Sequence, residues 1–312
     1  MTKSTGHAAV VGTGVIGASW TALFLAKGLK VVATDVAPKA EASLRGFVER
    51  VWPALERLGL APGASQTNLA FTADLPAAVA GADFVQENGP ERIEFKQQLY
   101  RRLDALAPAN VIIASSSSGL TMSEIQKGCS SHPERCVIGH PFNPPHLIPL
   151  VEVVGGTKTS PEAIERAISF YRSVGKKPVH LRKEVIGHVA NRLQAALYRE
   201  VVNLIEQGVV DVADADTAVC WGPGLRWGAM GPNLLFHLGG GEGGIHHFME
   251  HLSGPVAAWW KDLGAETEFT PAAKQAIIEG VEREAGDRSI DELARQRDEV
   301  LLGLLALRAK EG

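Results

Sequence analysis

One stretch near the start of the chain constrains its fold more than any other. An apolar run at residues 8–11 leads directly into a glycine-rich turn, and residues 18–27 then have the composition of a helix. This order predicts a strand, a tight turn and a helix whose N-terminus can bind a pyrophosphate. A second predicted strand, at residues 29–34, is followed by an acid at the spacing that a ribose contact needs. The sequence therefore predicts a dinucleotide site that contains Gly12, Gly14, Val15, Ile16, Gly17 and Asp35.

The acid also indicates which dinucleotide is bound. The carboxylate of Asp35 can accept hydrogen bonds from both ribose hydroxyls of NAD, whereas it would repel the 2′-phosphate of NADP. No arginine stands at the neighbouring Val36 or Ala37 to receive that phosphate. We therefore expect NAD as the cofactor.

The first part of the chain alternates strands with helices. Predicted strands at residues 69–72, 82–86 and 111–114 are separated by predicted helices, which is typical of a parallel sheet covered on both faces. Two further strands, 135–139 and 150–154, flank a proline-rich loop, and residues 178–182 are predicted as an edge strand. We expect a Rossmann-like, doubly wound α/β domain over residues 1–185.

The strand signals stop after residue 185. Apolar residues then recur at helical spacing from Val189 to Leu204, and further helices are predicted at 211–220, 271–285 and 290–308. We expect an all-helical domain over residues 186–312 that binds the substrate and forms a dimer. A homodimer is favoured over a monomer because such helical faces are commonly buried against a second copy.

Composition excludes several classes of partner. The formal net charge is −4 and there is no basic cluster, which argues against nucleic acid and against an anionic membrane surface. No apolar run reaches the roughly 18 residues that span a bilayer, and the three cysteines form no disulfide or metal pattern, so we expect a cytoplasmic protein. His247 and His251 are four residues apart, but no third ligand accompanies them, and we expect no metal site.

Two titratable residues could carry proton chemistry. His140 follows a predicted strand, where open parallel sheets place their ligands, and Glu152 interrupts an apolar strand twelve residues later. A carboxylate that holds one imidazole nitrogen leaves the other free to exchange a proton with a substrate hydroxyl. The alternative is a loop histidine and an unrelated edge-strand acid, and the spacing leaves both interpretations open.

The second domain offers groups that suit a small charged substrate. Aromatic faces such as those of Trp221 and Trp227 attract a quaternary ammonium group, and the guanidinium of Arg226 can bind a carboxylate bidentately. The alternative is that both tryptophans are core residues and that Arg226 forms a surface ion pair.

Several motifs together resemble the 3-hydroxyacyl-CoA dehydrogenase superfamily over nearly the whole chain. They are the glycine fingerprint, the serine run 115–118, and the stretches His140-Pro-Phe-Asn143-Pro, Leu150-Val-Glu152-Val and Gly187-His-Val-Ala-Asn191-Arg-Leu. The resemblance implies that His140 is the general base, that Glu152 orients it, and that Ser118 and Asn191 donate hydrogen bonds to the reacting oxygen. It also implies that Asn143 belongs to the active-site loop and binds substrate, and that Glu91 and Lys96 lie near NAD. By composition alone, the last two would be solvated helix charges, Ser118 a turn residue and Asn191 a solvated helix residue.

Within the superfamily, the chain is most similar to the carnitine and gulonate dehydrogenase branch. Gly224-Leu-Arg226-Trp227 and Trp52-Pro-Ala-Leu55 carry this resemblance. It implies NAD-dependent oxidation of the 3-hydroxyl of a short acid, with L-carnitine first and L-gulonate or a 3-hydroxyacyl-CoA as alternatives. A non-catalytic, crystallin-like NAD-binding protein is the alternative of another class. A CoA substrate would need several cationic groups, and residues 221–242 contain one arginine.

Overall fold

The computed structural model describes residues 6–310 of the 312-residue chain. Among these residues it has eight strands and fourteen α-helices. The strands are β1 (His7–Val11), β2 (Lys30–Thr34), β3 (Leu69–Thr72), β4 (Phe84–Glu87), β5 (Ile112–Ser115), β6 (Cys136–Pro141), β7 (Leu150–Gly155) and β8 (Lys177–His180). The helices are α1 (Val15–Ala26), α2 (Ala40–Leu58), α3 (Leu75–Val79), α4 (Ile93–Leu106), α5 (Met122–Ile125), α6 (Pro161–Ser173), α7 (Ala190–Glu206), α8 (Val212–Trp221), α9 (Pro223–Ala229), α10 (Pro232–Gly239), α11 (Gly244–His251), α12 (Ser253–Asp262), α13 (Pro271–Ala285) and α14 (Ile290–Arg308).

The strands form one sheet in the order β3-β2-β1-β4-β5-β6-β7-β8. All neighbouring strands are parallel except β6 and β7, which pair antiparallel. The loop between β6 and β7, residues 142–149, is too short for the crossover that a parallel pair needs, so the chain must turn straight back. The predicted doubly wound α/β fold with a following helical region is confirmed.

Apolar side chains cover both faces of the sheet. On one face, α1, α2 and α6 pack through a buried cluster that includes Trp20, Phe24 and Tyr171, with the rings of Trp20 and Tyr171 5.6 Å apart. On the other face, α3 and α4 contribute to a second cluster that includes Tyr100 and Leu103. This double coverage explains why the strands read as continuous apolar runs. Because both faces of the sheet are covered, polar functional groups are left to the strand ends and to the loops that follow them.

The chain divides into two compact units between Arg192 and Leu193. The predicted boundary, between residues 185 and 186, remains a prediction; it lies just before α7 in the chain. The second unit is helical as predicted, and α14 begins with a capping box formed by Ser289 and Glu292. In the part of the chain that the structure describes, no helix is long and apolar enough to cross a membrane.

The sequence analysis predicted no helices between residues 222 and 262, whereas the structure has four. Both α9 and α10 begin with a proline at the first helical position, where the missing N–H costs nothing. The glycine-rich stretch at 239–244 forms the end of α10, a 3₁₀ turn at Gly241–Gly243 and the start of α11. The rings of Phe236 and Phe248 stack 4.6 Å apart across that turn, so packing between the two helices offsets the weak helix propensity of glycine.

Candidate active site

The turn after β1 has the geometry that a bound pyrophosphate needs. Gly12 has a φ of +87°, which side-chain-bearing residues rarely adopt. A Cβ atom on Gly17 would lie 1.9 Å from the Gly12 carbonyl oxygen, so only glycine lets α1 begin so close to the strand. A Cβ atom on Gly14 would meet no protein atom within 4 Å, which leaves open space at the N-terminus of α1, beside Val15 and Ile16. An anion can approach the free N–H groups of this helix there.

Asp35 is fixed at the end of β2 by hydrogen bonds. Its Oδ2 atom accepts from the backbone N–H of Thr13 at 2.7 Å and from the Thr13 hydroxyl at 3.0 Å, and its Oδ1 atom accepts from the N–H of Ala37 at 2.9 Å. Burial raises the pKa of Asp35, but the hydrogen bonds from Thr13 and Ala37 outweigh it and bring the pKa below its ordinary value. The carboxylate is therefore ionised and held in place.

A cavity of about 660 Å³ joins these features. Its lining contains Gly12, Gly14, Asp35, Asn88 and Gly89, which come from the ends of β1, β2 and β4. Strand order reverses at β1, and open α/β sheets bind dinucleotides at such a point. The residues present therefore fit NAD.

Cofactor discrimination follows from the fixed carboxylate. Because a charge-assisted hydrogen bond contributes roughly 1.5 to 3 kcal/mol, kcat/KM with NAD should exceed that with NADP by at least about tenfold. Replacing Asp35 by serine should lower the ratio of kcat/KM with NAD to kcat/KM with NADP. Glu49→Ser, on the exposed face of α2, should leave that ratio unchanged. Steady-state rates with both cofactors measure the ratio, and equal kcat/KM values in the wild type would contradict the assignment.

Glu91 and Lys96 hold two different loops. The ammonium of Lys96 is buried and contacts both carboxylate oxygens of Glu87, at 2.9 and 2.8 Å, and the carbonyl oxygen of Gly89 at 3.0 Å. The Oε1 atom of Glu91 accepts from the Ser117 hydroxyl at 2.6 Å and from the N–H groups of Ser118, at 2.9 Å, and Gly119, at 2.7 Å.

These contacts specify how the two residues could act on the cofactor. Lys96 holds Gly89, which lines the cavity, and Glu91 holds the serine turn. Burial raises the pKa of Glu91, but hydrogen bonds from Ser117 and Gly119 and the charge of Lys96 lower it below its ordinary value, so the carboxylate is ionised. The predicted role of Glu91 and Lys96 in NAD binding stays a prediction, and it would operate through the loops that they hold.

His140 and Glu152 form a buried pair. They face each other across the antiparallel strands β6 and β7, and the Nδ1 atom of His140 lies 2.9 Å from Oε2 of Glu152. Both side chains are almost fully buried. Since a carboxylate only accepts, Nδ1 carries a proton, and in the neutral imidazole Nε2 then carries none. The arrangement suits a histidine that takes a proton through Nε2.

The other oxygen of Glu152 anchors the start of α7. Its Oε1 atom accepts from the backbone N–H groups of Val189, at 2.7 Å, and Ala190, at 3.0 Å. Burial raises the pKa of Glu152, but the hydrogen bonds from His140, Ala190 and Val189 lower it below its ordinary value. The same carboxylate therefore orients the imidazole and fixes the helical turn that carries Asn191.

The serine turn is connected to this pair through His188. The Nε2 atom of His188 lies 3.0 Å from the carbonyl oxygen of Ser117, the residue before Ser118, and its ring centroid lies 4.8 Å from that of His140. A continuous set of contacts thus joins the segments that carry Ser118, His140, Glu152 and Asn191. The catalytic roles of these four residues remain a prediction.

The predicted substrate-binding residues fall in two places. Asn143 is exposed in the loop between β6 and β7, three residues after His140. Arg226 and Trp227 lie on α9 in the second unit, and both are exposed there. Their contact with a substrate stays a prediction.

Sequence reasoning missed three residues that the structure places at the site. Thr13 bonds Asp35, Glu87 pairs with Lys96, and His188 bridges Ser117 and His140. For two of these residues the sequence contains a usable signal. Glu87 is an acid at the end of an apolar strand, and His188 directly follows Gly187 in one of the stretches that carry the family resemblance. Thr13 had none, because any residue can stand between the first two glycines.

The dinucleotide cavity at the strand ends and the buried His140–Glu152 pair define the class of an NAD-dependent dehydrogenase that acts on a CH–OH group. Residues 7–185 match the family described as 3-hydroxyacyl-CoA dehydrogenase, NAD binding domain, and residues 187–280 match its C-terminal domain. The chain belongs to the 3-hydroxyacyl-CoA dehydrogenase family.

Individual relatives and one solved structure show which members of the family the chain is similar to. The chain is 48% identical over 297 residues to the L-carnitine dehydrogenase of Pseudomonas putida, covering 95% of this chain and 92% of the relative. It is also 48% identical to the L-carnitine dehydrogenase of Streptomyces griseus, covering 95% of this chain and 88% of the relative. The crystal structure of an NAD-dependent 5-formyl-3-hydroxy-2-methylpyridine 4-carboxylic acid 5-dehydrogenase is similar with a TM-score of 0.82 and 33% identity, covering 98% of each chain.

Proposed function

We propose that this protein oxidises the 3-hydroxyl of L-carnitine to 3-dehydrocarnitine with NAD. The observation that carries the proposal is the 48% identity, over 95% of the chain, to relatives named L-carnitine dehydrogenase. The residues of α9 support it, because Arg226 can bind the carboxylate of a short zwitterion and the face of Trp227 can bind its trimethylammonium group.

The His140–Glu152 pair supports a mechanism of general base catalysis. His140 takes the proton of the substrate hydroxyl at Nε2, while its Nδ1–H stays bonded to Glu152. Glu152 stabilises the imidazolium that forms, and its ionised state is secured by the hydrogen bonds that lower its pKa. Bound NAD supplies the hydride acceptor. Ser118 and Asn191 donate hydrogen bonds to the substrate oxygen as it loses its proton.

A panel of hydroxy acids tests the substrate. L-carnitine should be oxidised with a kcat/KM at least tenfold above that for L-gulonate or 3-hydroxybutyryl-CoA, a difference of about 1.4 kcal/mol, which one desolvated cation–π contact can supply. Arg226→Met should raise KM for carnitine because the carboxylate loses its partner, whereas Arg283→Met, an exposed arginine of α13, should not. NADH formation followed by absorbance gives these values.

The outcomes separate the alternatives. If carnitine yields no NADH while another 3-hydroxy acid is oxidised well, the assignment of carnitine as the substrate is wrong. The assignment as an NAD-dependent hydroxy-acid dehydrogenase is then kept. If no hydroxy acid yields NADH although NAD binds, the chain is a binding protein of the crystallin-like class.

We also propose that the protein is a homodimer formed through its helical unit. That unit exposes large apolar side chains, with 77% of Trp221, 65% of Trp259 and 70% of Trp260 accessible. Large apolar side chains that are left exposed can be buried against a partner, and a second copy of the chain is the most common partner. Light scattering should give twice the 33.2 kDa chain mass, and Trp260→Asp should shift the mass toward the monomer. A wild-type protein that scatters as a monomer would contradict the proposal.

A cytoplasmic location completes the proposal. Cys129 and Cys136 are buried with their sulfur atoms 3.7 Å apart, and both are free thiols, as is Cys220. Free thiols suit a reducing compartment, where a dehydrogenase also has access to the NAD pool.

A further inference from the structure

His188 occupies an unusual position beside the catalytic pair. It lies two residues before the start of α7, and it is only 3% exposed. Its φ of +50° lies in the left-handed region, which is costly for a residue with a side chain. Strained positions of this kind persist only where the surrounding structure fixes them, and they cluster at functional sites.

The contacts of His188 fix which nitrogen carries its proton. Nε2 lies 3.0 Å from the Ser117 carbonyl oxygen, and because a carbonyl only accepts, Nε2 must donate. The Nδ1 atom is buried and has no hydrogen-bond partner among the described residues, so nothing there requires a second proton. These contacts therefore suit a neutral ring that donates one hydrogen bond from Nε2.

Burial, more than its charged neighbours, keeps His188 neutral. Burial lowers the pKa of His188, and the nearby His140 on β6 lowers it further. The hydrogen bond to Ser117 and the carboxylates of Glu152 on β7 and Glu91 before α4 oppose this shift, but the pKa stays below its ordinary value. A neutral ring beside His140 adds no repulsion when His140 becomes an imidazolium during substrate oxidation.

Three parts of the site meet at this residue. Its own ring touches the serine turn through Ser117 and packs 4.8 Å from the ring of His140, and the two residues that follow it donate to Glu152. We propose that His188 is a positioning residue, which holds the Ser117–Ser118 turn in register with His140 by donating one hydrogen bond from a neutral ring. The proposal rests on the role of His140 given above.

A matched pair of variants isolates the hydrogen bond. Glutamine can place a side-chain N–H near the position of Nε2, whereas leucine is of similar size and suffers the same backbone strain but has no donor. His188→Leu should lower kcat by about tenfold to a hundredfold, because a small misplacement of reacting groups has effects of this size, while the Kd for NADH changes less than about twofold. His188→Gln should retain kcat within about threefold of the wild type. The substrate is whichever hydroxy acid the wild type oxidises, so a wrong carnitine assignment leaves the test intact.

The outcomes decide the proposal. Equal losses in the two variants, or an unchanged kcat in His188→Leu, would overturn it. If His188→Leu does not fold, His188→Asn takes its place, because asparagine tolerates the left-handed backbone and its short amide does not reach Ser117; a kcat loss like that predicted for leucine is expected.

A second readout does not depend on turnover. In protein labelled with ¹⁵N-histidine, the signal that disappears in His188→Gln should report a neutral ring with its proton on Nε2 between about pH 7 and 8. A charged ring in this range, or a proton on Nδ1, would overturn the proposal even if no hydroxy acid were oxidised.

Discussion

Replacement of His140 by alanine is expected to lower kcat for hydroxy-acid oxidation by about 10²- to 10⁴-fold, while the affinity for NADH stays nearly unchanged. In the proposed mechanism the imidazole accepts the hydroxyl proton, whereas other residues would hold the cofactor. Those residues, among them Gly12, Gly14 and Asp35, line a cavity to which His140 does not contribute. A substitution at His140 should therefore change proton transfer without changing the affinity for the cofactor.

Steady-state kinetics and a fluorescence titration with NADH check this result. His132→Ala is the matched control, because His132 also pairs with a glutamate, Glu134, but on the protein surface. The control should retain wild-type kcat. If His140→Ala retains activity within about threefold of the wild type, His140 is not the base.

Replacement of Glu152 by glutamine should be nearly as damaging, although it changes only one atom. The backbone N–H groups of Val189 and Ala190 need an acceptor, so the amide oxygen must face them and the amide nitrogen must face His140. Nδ1 must then accept, and the proton of the neutral imidazole moves to Nε2, the atom that should take the substrate proton. The analogous wrong tautomer in the serine protease triad lowers kcat by about 10⁴, so we expect a loss of about 10²- to 10⁴-fold here.

The pH dependence of kcat in the Glu152→Gln variant provides a further test of the orienting role. Hydrogen bonds hold the pKa of Glu152 below its ordinary value, so the wild-type carboxylate stays ionised through the neutral range and its contribution is lost only as the pH falls toward that lowered value. The deficit of Glu152→Gln should therefore persist at every pH from about 6 to 9, because no titration restores the charge. Glu162→Gln, in the exposed first turn of α6, should behave as the wild type. A variant at Glu152 that recovers full activity anywhere in this range would exclude the orienting role.

Much of the fold follows from local patterns. The strands of the first unit were predicted within a few residues of their observed ends, because apolar runs and glycine turns act on neighbouring residues. The short helix α5 was not predicted. The helices between residues 222 and 262 were missed because they are short and glycine-rich, and their stability depends on contacts such as Phe236 on Phe248.

The candidate site was predicted unevenly. The glycine turn and Asp35 could be located because the dinucleotide motif has a fixed spacing along the chain. From spacing alone, His140 and Glu152 could equally have been unrelated, and Glu91 and Lys96 could have been solvated charges. Their partners lie on other strands and loops, at sequence separations that no local pattern encodes.

The sequence by itself determined the glycine-rich turn, the position of the acid predicted to select NAD and the positions of the strands along the chain, because each depends on the conformations of residues close together in the chain. Only the tertiary structure decided which atoms pair. The antiparallel register of β6 and β7 places His140 opposite Glu152, the ends of β4 and β5 enclose Lys96 with Glu87, and the left-handed turn before α7 turns His188 toward Ser117. These pairings depend on strand register and on burial, which remove charged groups from water and so compel them to find partners that lie far away in the sequence.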